Sequence, residues 1–446
     1  MMKKYKKIVI GVAIVIGLLL ILPFLIPMQT YLRQAERFAS EKIGQPVTVQ
    51  SAHLFLLPSP RVVASDILVG KNQEVKVETL VVIPTISSLF SELKLLDLHI
   101  SKPVIKKAAL DFVTALAANK SDSIEAASVN IRHIKIDQLQ LVWSDGINLP
   151  TMNAEAMLTS DNKLQSATVE TEDGKLDAKV EPNGNEHLIV LNARKWVLPV
   201  GLPLLIDNAK FEMHLKGSKL AIPKIDVALY GGKLSGDAVL DWTNAWHING
   251  KVNIENLSVQ QPSIMVSKVV YLSGSLFGKG NFSSTAKVAG QLADRLQSNF
   301  QFKVNNGVLH GLDLVKLASL LIKQSQSGGE TQFDEFSGVL NASGKQHHLR
   351  NLKIRSGLLS ATGQVKVKPN KALDGAVDVE VKNSMGLAAI PLEVSGTVSK
   401  PVVLPSKAAL AGAIAGTAIL GPGVGTSLGV KAAGAVDKLK GLFGGK

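Results

Sequence analysis

The sequence predicts a mostly β protein carried on a single N-terminal transmembrane helix, and three observations predict it. Residues Ile8 to Met28 form an uncharged apolar run of 21 residues. From Pro46 to about Lys400, short apolar/polar alternations follow one another, separated by Gly, Asn, Asp and Pro. Few stretches in that span keep a helical period, so the strands must pair mainly with one another, as antiparallel meander.

The apolar run would measure roughly 31 Å as a helix at ~1.5 Å per residue, which matches a bilayer core of ~30 Å. Lys3, Lys4, Lys6 and Lys7 precede it without an acid among them, while Arg33, Glu36 and Arg37 follow it. This bias sets the topology, with the N-terminus cytoplasmic and the bulk of the chain across the membrane. A cleaved signal peptide would have a shorter apolar core and a small-x-small site behind it, whereas Gln29-Thr-Tyr-Leu32 follows here. An uncleaved single-pass anchor is the expectation.

Residues 29–44 read as an amphipathic helix with Leu32, Ala35, Phe38, Ala39 and Ile43 on one face and Gly44 as its stop. The period then changes to 2. Leu176-Asp-Ala-Lys-Val180, Val252-Asn-Ile254, Phe300-Gln-Phe-Lys-Val304 and Val377-Asp-Val-Glu-Val381 are the clearest strands. Glu172-Asp-Gly174, Pro182-Asn-Gly184 and Asn305-Asn-Gly307 read as turns between strands. Helices are expected at Ile86–Leu95, Lys106–Ala118 and Leu312–Gln324. Residues 45–400 therefore form one β region, and 401–446 an Ala/Gly-rich basic tail with two short helices divided at Pro422.

The net charge of +13 is concentrated at the ends. Four Lys lie in residues 1–7 and six in 400–446, leaving a small positive excess over everything between. So dispersed a charge is no footprint for nucleic acid, although the tail could meet anionic headgroups. There is no cysteine, hence no disulfide or thiolate metal site. No metalloprotease, nucleophile-elbow or phosphate-loop motif is present. Gly274-Ser-Leu-Phe-Gly-Lys-Gly280 reads as a hairpin turn. His347 and His348, adjacent on a strand, face opposite ways and cannot share an ion. Asp334-Glu335 reads as a solvated turn. Trp143, Trp242 and Trp246 read as packing residues at strand ends. No catalytic group, cofactor site or metal site is expected.

Several of these stretches occur together in a known pattern. Gly44-Gln-Pro-Val-Thr-Val49 is followed by Pro58-Ser-Pro60, Ile67-Leu-Val-Gly70 and Leu98-His-Ile-Ser-Lys-Pro103. Farther on come Ile134–Leu139, Trp143–Gly146 and Leu229-Tyr-Gly-Gly-Lys-Leu-Ser-Gly236. Toward the end stand Asn306–Leu314, Thr331-Gln-Phe333, Gly338–Val367 and Val394-Ser-Gly-Thr-Val398 with Pro401. In this order they resemble the AsmA family of inner-membrane-anchored periplasmic proteins of Gram-negative bacteria. The resemblance implies a long curled antiparallel sheet with an open apolar groove and a role in phospholipid transport and outer-membrane biogenesis. The groove lining would be Val252 and Ile254; Phe300, Phe302 and Val304; Val377, Val379 and Val381; and further Leu352, Ile354, Val365, Val367, Leu392 and Val394. The implied partners are membrane phospholipids, the inner membrane, and envelope proteins or a second copy. The same side chains could instead fill a closed sandwich core. An assembly factor that binds envelope proteins through free strand edges is the alternative function.

Overall fold

The computed structural model describes residues 28–85, 94–109, 129–144, 147–161, 163–198, 202–319, 328–381 and 388–412. Lys3, Lys4, Lys6, Lys7 and nearly all of the apolar run 8–28 lie outside them. So do most of the helices expected at Ile86–Leu95 and Lys106–Ala118 and the tail beyond 412; the described ends correct both of these helix expectations, because Lys94, Leu95 and Lys106 belong to a strand instead. Among the described residues no helix is long and apolar enough to cross a membrane. They contain 22 strands and a few short helices. The chain divides into two compact units, Met1–Arg194 with Pro199–Gly201, and Lys195–Leu198 with Leu202–Lys446.

The first unit begins with helix α1 (Met28–Ile43), which ends at Gly44 with φ +69°. Ala39 and Ile43 pack against Val47, Ile67 and Val69, while Phe38 stays exposed. The helix also covers the free edge of β1 (Val47–Phe55). The Val47 N–H donates to Ser40 Oγ at 2.9 Å, and the Val49 N–H donates to Glu36 Oε1 at 2.6 Å. Two edge donors that would otherwise invite another strand are thereby satisfied. Strands β2 (Arg61–Val69), β3 (Val75–Pro84) and β4 (Lys94–Lys106) continue the antiparallel ladder. Asp66 sits within β2 at φ +51°, and the core there holds Ile67 and Val69 together with Ala64.

One pairing departs from the expected antiparallel meander. β4 runs parallel to β5 (Val129–Ser144), pairing Leu98 with Ile134 and Ile100 with Ile136. The connection over residues 107–128 is long enough for the crossover a parallel pair requires. β6 (Ile147–Asn148), β7 (Met152–Leu158), β8 (Leu164–Thr171), β9 (Leu176–Asn183) and β10 (Glu186–Val197) then return to antiparallel pairing. Glu172–Gly174 and Pro182–Gly184 fall at the β8–β9 and β9–β10 reversals, as expected.

The second unit is an antiparallel ladder of consecutive strands: β11 (Leu205–Lys216), β12 (Lys219–Leu229), β13 (Gly232–Asp241), β14 (Trp246–Ser258), β15 (Tyr271–Ala286) and β16 (Gln297–His310), then β17 (Glu330–Ser343), β18 (Gln346–Arg355), β19 (Leu359–Val367), β20 (Leu373–Val381), β21 (Ala388–Thr397) and β22 (Lys400–Pro405). Helix α2 (Gln260–Val266) packs on β15, and helix α3 (Leu314–Ser319) packs on β17, β20 and β22. A last helical turn begins at Lys407.

Every second strand from β12 to β18 carries one extra residue. The register slips between Ile222 and Ile225, Ile254 and Leu257, across Asn306, and between Leu349 and Leu352. Asn256, Asn306 and Asn351 take φ of +53°, +48° and +52° at these bulges. Asparagine tolerates that left-handed geometry better than most residues. Each bulge bends its strand and raises the local twist.

Three sequence expectations are corrected here. Asn305-Asn-Gly307 is not a turn but the bulge inside β16. Gly274–Gly280 lies inside β15, where Gly278 and Gly280 leave room for the Phe300 ring. Asp334-Glu335 lies inside β17, and Glu335 pairs with Arg355 at 2.8 Å across the ladder.

Candidate functional site: an apolar sheet face

Residues that pair across a ladder share one face of the sheet. In the second unit this gathers the apolar residues into continuous rows. One row runs Val252, Gly280, Phe300, Leu340, Leu349, Val365, Gly375, Val394, Val403 from β14 to β22. A second contains Ile254, Gly278, Phe302 and Gly338, and beyond the β18 bulge Leu352, Gly363, Val377 and Leu392. A third contains Leu257, Leu276, Val304, Phe336, Ile354, Ala361, Val379 and Ile390. Val367 pairs with His347 and Leu373, and Val381 with Leu359 and Ala388, on the same side. All fourteen sequence-expected lining residues therefore fall on one face.

Glycines recur in these rows opposite large side chains. A Cβ on Gly278 would stand 2.4 Å from the Phe300 ring, and one on Gly338 would stand 3.0 Å from the Phe302 ring. Phe302 and Phe336 meet edge to face at 5.4 Å between centroids. The rings thus lie across bare backbone on neighbouring strands.

The face is covered unevenly. Val379 and Leu392 are wholly buried, Leu359 is 1 % exposed and Val304 2 %. Leu352 and Ile354 are also buried. Leu314, Leu317 and Ala318 of α3 are buried with them. α3 is held in place by Thr331, whose hydroxyl accepts from the Leu314 N–H at 2.9 Å and donates to the Leu312 carbonyl at 2.8 Å. By contrast Val252, Ile254, Phe300, Phe302, Val365, Val367, Val377, Val381 and Val394 are only half-buried.

The reverse face is polar. Its matching row reads Lys251, Asn281, Asn299, Asn341, His348, Lys366, Asp374. A depression of about 780 Å³ lies on this side, lined among others by Asp237, Lys251, Asn281, Asn299, Asn341 and Arg350. It offers amides and charges, and so suits water or hydroxyl-rich groups rather than acyl chains. Pairs such as Lys210–Glu212 at 3.0 Å decorate the same solvated side, and the Lys210 ammonium holds the Glu212 carboxyl below its usual range. His347 and His348 do face opposite ways, His348 Nε2 meeting Gln364 at 3.2 Å. Trp242 and Trp246 stack on each other at 5.4 Å. Among the described residues no group of three or more His, Cys, Asp or Glu is placed to hold a metal ion.

Sequence reading missed Leu257, Leu276, Leu340, Leu349 and Ile390 of these rows. Leu257 and Leu349 stand three residues, not two, from Ile254 and Leu352, which is how a bulge keeps apolar residues on one side, whereas Leu276, Leu340 and Ile390 keep the period of two with Gly278, Gly338 and Leu392.

No curated protein and no solved structure matches the chain. The AsmA family model matches residues 118–346, just over half of the chain, so that the chain belongs to the AsmA family.

Proposed function

We propose that this chain is a single-pass inner-membrane protein, with a cytoplasmic N-terminus and a periplasmic body, that holds phospholipid acyl chains on the apolar face of its sheet. It supports lipid transport between membranes and thereby outer-membrane biogenesis, and works by binding, without bond chemistry. The single observation that carries this reading is the gathering of apolar rows on one face that the described chain leaves only half-buried at Val252, Ile254, Phe300, Phe302, Val365 and Val394. A sheet surface of this kind in water is costly, at about 25 cal/mol per Å² of apolar area. A lipid with about thirty methylenes faces a complementary penalty on the order of 24 kcal/mol when withdrawn from a bilayer. Contact between the two offsets both, while headgroups remain in water.

The assembly-factor alternative needs free strand edges, and two are partly occupied. α1 takes the Val47 and Val49 N–H groups of β1. In β22 the Ser406 N–H just beyond the strand donates inward to Pro391. Alternation then turns positions 401, 403 and 405 outward, and two of these three are prolines without an N–H.

Photoreactive side chains placed at Phe302, Val365 and, on the reverse face, Lys366 test the proposal in cells. Phospholipid adducts at Phe302 and Val365 but not at Lys366 support it. Equal labelling of both faces, or none, overturns it.

A further inference from the structure

The two ends of the strands in the second unit are unlike. One rim carries short polar reversals at Gly217-Ser218, Gly344-Lys345 and Pro369–Lys371, and one longer connection at 287–296 with two 3-10 turns. The other carries Val197–Leu198 and Leu202–Leu204, α2 and the loop behind it, α3, the reversal at Ser356–Leu358 and the helical turn from Lys407. Among the described residues of this unit seven large hydrophobic side chains are strongly exposed. Six of them, Val197, Leu202, Met265, Val266, Val269 and Leu358, lie on this second rim, and Leu358 is 67 % exposed. Val288 is the exception.

We propose that this rim rests on a phospholipid bilayer surface. Scattered exposed apolar residues are ordinary, but confinement to one rim is not. From the β10–β11 loop to the β18–β19 reversal the apolar side chains extend along eight strand steps, roughly 38 Å at ~4.8 Å per strand. A thin line of that length suits a planar surface better than a compact protein pocket. Lys268 and Lys316 stand exposed among them, and Lys407 farther along the same rim, where anionic headgroups would lie. The third apolar row runs along this rim, buried at Val304, Ile354 and Val379 but half-buried at Leu276, and Val381 is half-buried closer still to the rim, so an acyl chain leaving the bilayer would meet Leu276 or Val381 first. The inference rests on the lipid-holding function proposed above and adds the place of entry.

The chain has no cysteine, so single substitutions give unique labels. Full-length protein carrying Met265→Cys, Leu358→Cys or, on the opposite rim, Asn244→Cys is labelled with an environment-sensitive fluorophore. It is then reconstituted in phosphatidylethanolamine–phosphatidylglycerol vesicles containing nitroxide-bearing acyl chains. Quenching of the Met265 and Leu358 labels, with the Asn244 label unquenched, is the expected result. Combining Met265→Ser and Leu358→Ser should lower quenching of a Val269→Cys label several-fold. Equal quenching on both rims, or none at 265 and 358, overturns the proposal. So does a blue-shifted label that nitroxide lipid does not quench, which would identify a protein neighbour. Adducts at Phe302 and Val365 that persist without rim quenching would sink the rim contact alone, whereas loss of both removes the function beneath it.

Discussion

Val379 on β20 and Val365 on the neighbouring β19 occupy the same face of the same ladder, yet one is wholly buried and the other only half-buried. The residues themselves are identical, and both alternate with polar or charged neighbours, Gln364 and Lys366 in one case and Asp378 and Glu380 in the other. What differs is what lies over them. α3 packs across β17, β20 and β22, and its Leu314 and Leu317 close over one end of the rows. Over Val252, Phe300 and Val365 no such helix is placed among the described residues. A single apolar face can thus be core at one end and surface along the rest, and the division is made by insertions between strands.

The largest effect that would sharpen this contrast comes from one charge placed at each site. Val379→Asp buries a carboxylate with no partner and should cost at least about 4 kcal/mol, whereas Val365→Asp should cost about 1–2 kcal/mol. Urea midpoints of the full chain measure the difference, and equal losses would erase the distinction. Leu392→Ala leaves a cavity under the covered end and should cost about 2–5 kcal/mol. Gly280→Val tests the bare backbone of the open stretch. Its Cβ would stand 2.4 Å from the Asn299 carbonyl oxygen and 2.8 Å from Phe300 Cα, so β15 and β16 must part. A loss of about 1–3 kcal/mol is expected, with faster amide exchange at Gln301. Lys366→Ala, on the solvated side beside Val365, should change stability by less than about 0.5 kcal/mol and leave lipid adducts at Val365 intact.

Much of this was legible in the residues. The alternations at 300–304 and 377–381 gave strand and face together, because a period of two has only one parity to choose. Asn305-Asn-Gly307 misled because a bulge and a hairpin reversal use the same chemistry, an asparagine or glycine at positive φ. The distinction lies farther along, where Leu309 resumes the apolar side after a shifted step. The parallel pairing of β4 with β5 left no local mark, since strand direction is not written in alternation. The helix expected at Leu312–Gln324 is present over Leu314–Ser319, with 320–324 outside the described residues, but its packing on β20 was not visible. Burial of that kind depends on contacts between residues some sixty positions apart, and no window of sequence carries them.

The bulges have a consequence for how such a chain can change length. With one extra residue in every second strand, the two-strand hairpin is the smallest module that repeats both the bend and the parity of the side chains. Excision or duplication of one whole hairpin between β12 and β19 would leave the flanking rows aligned, whereas loss of a single strand would turn all that follows inside out. The sheet therefore behaves as a ruler graduated in hairpins.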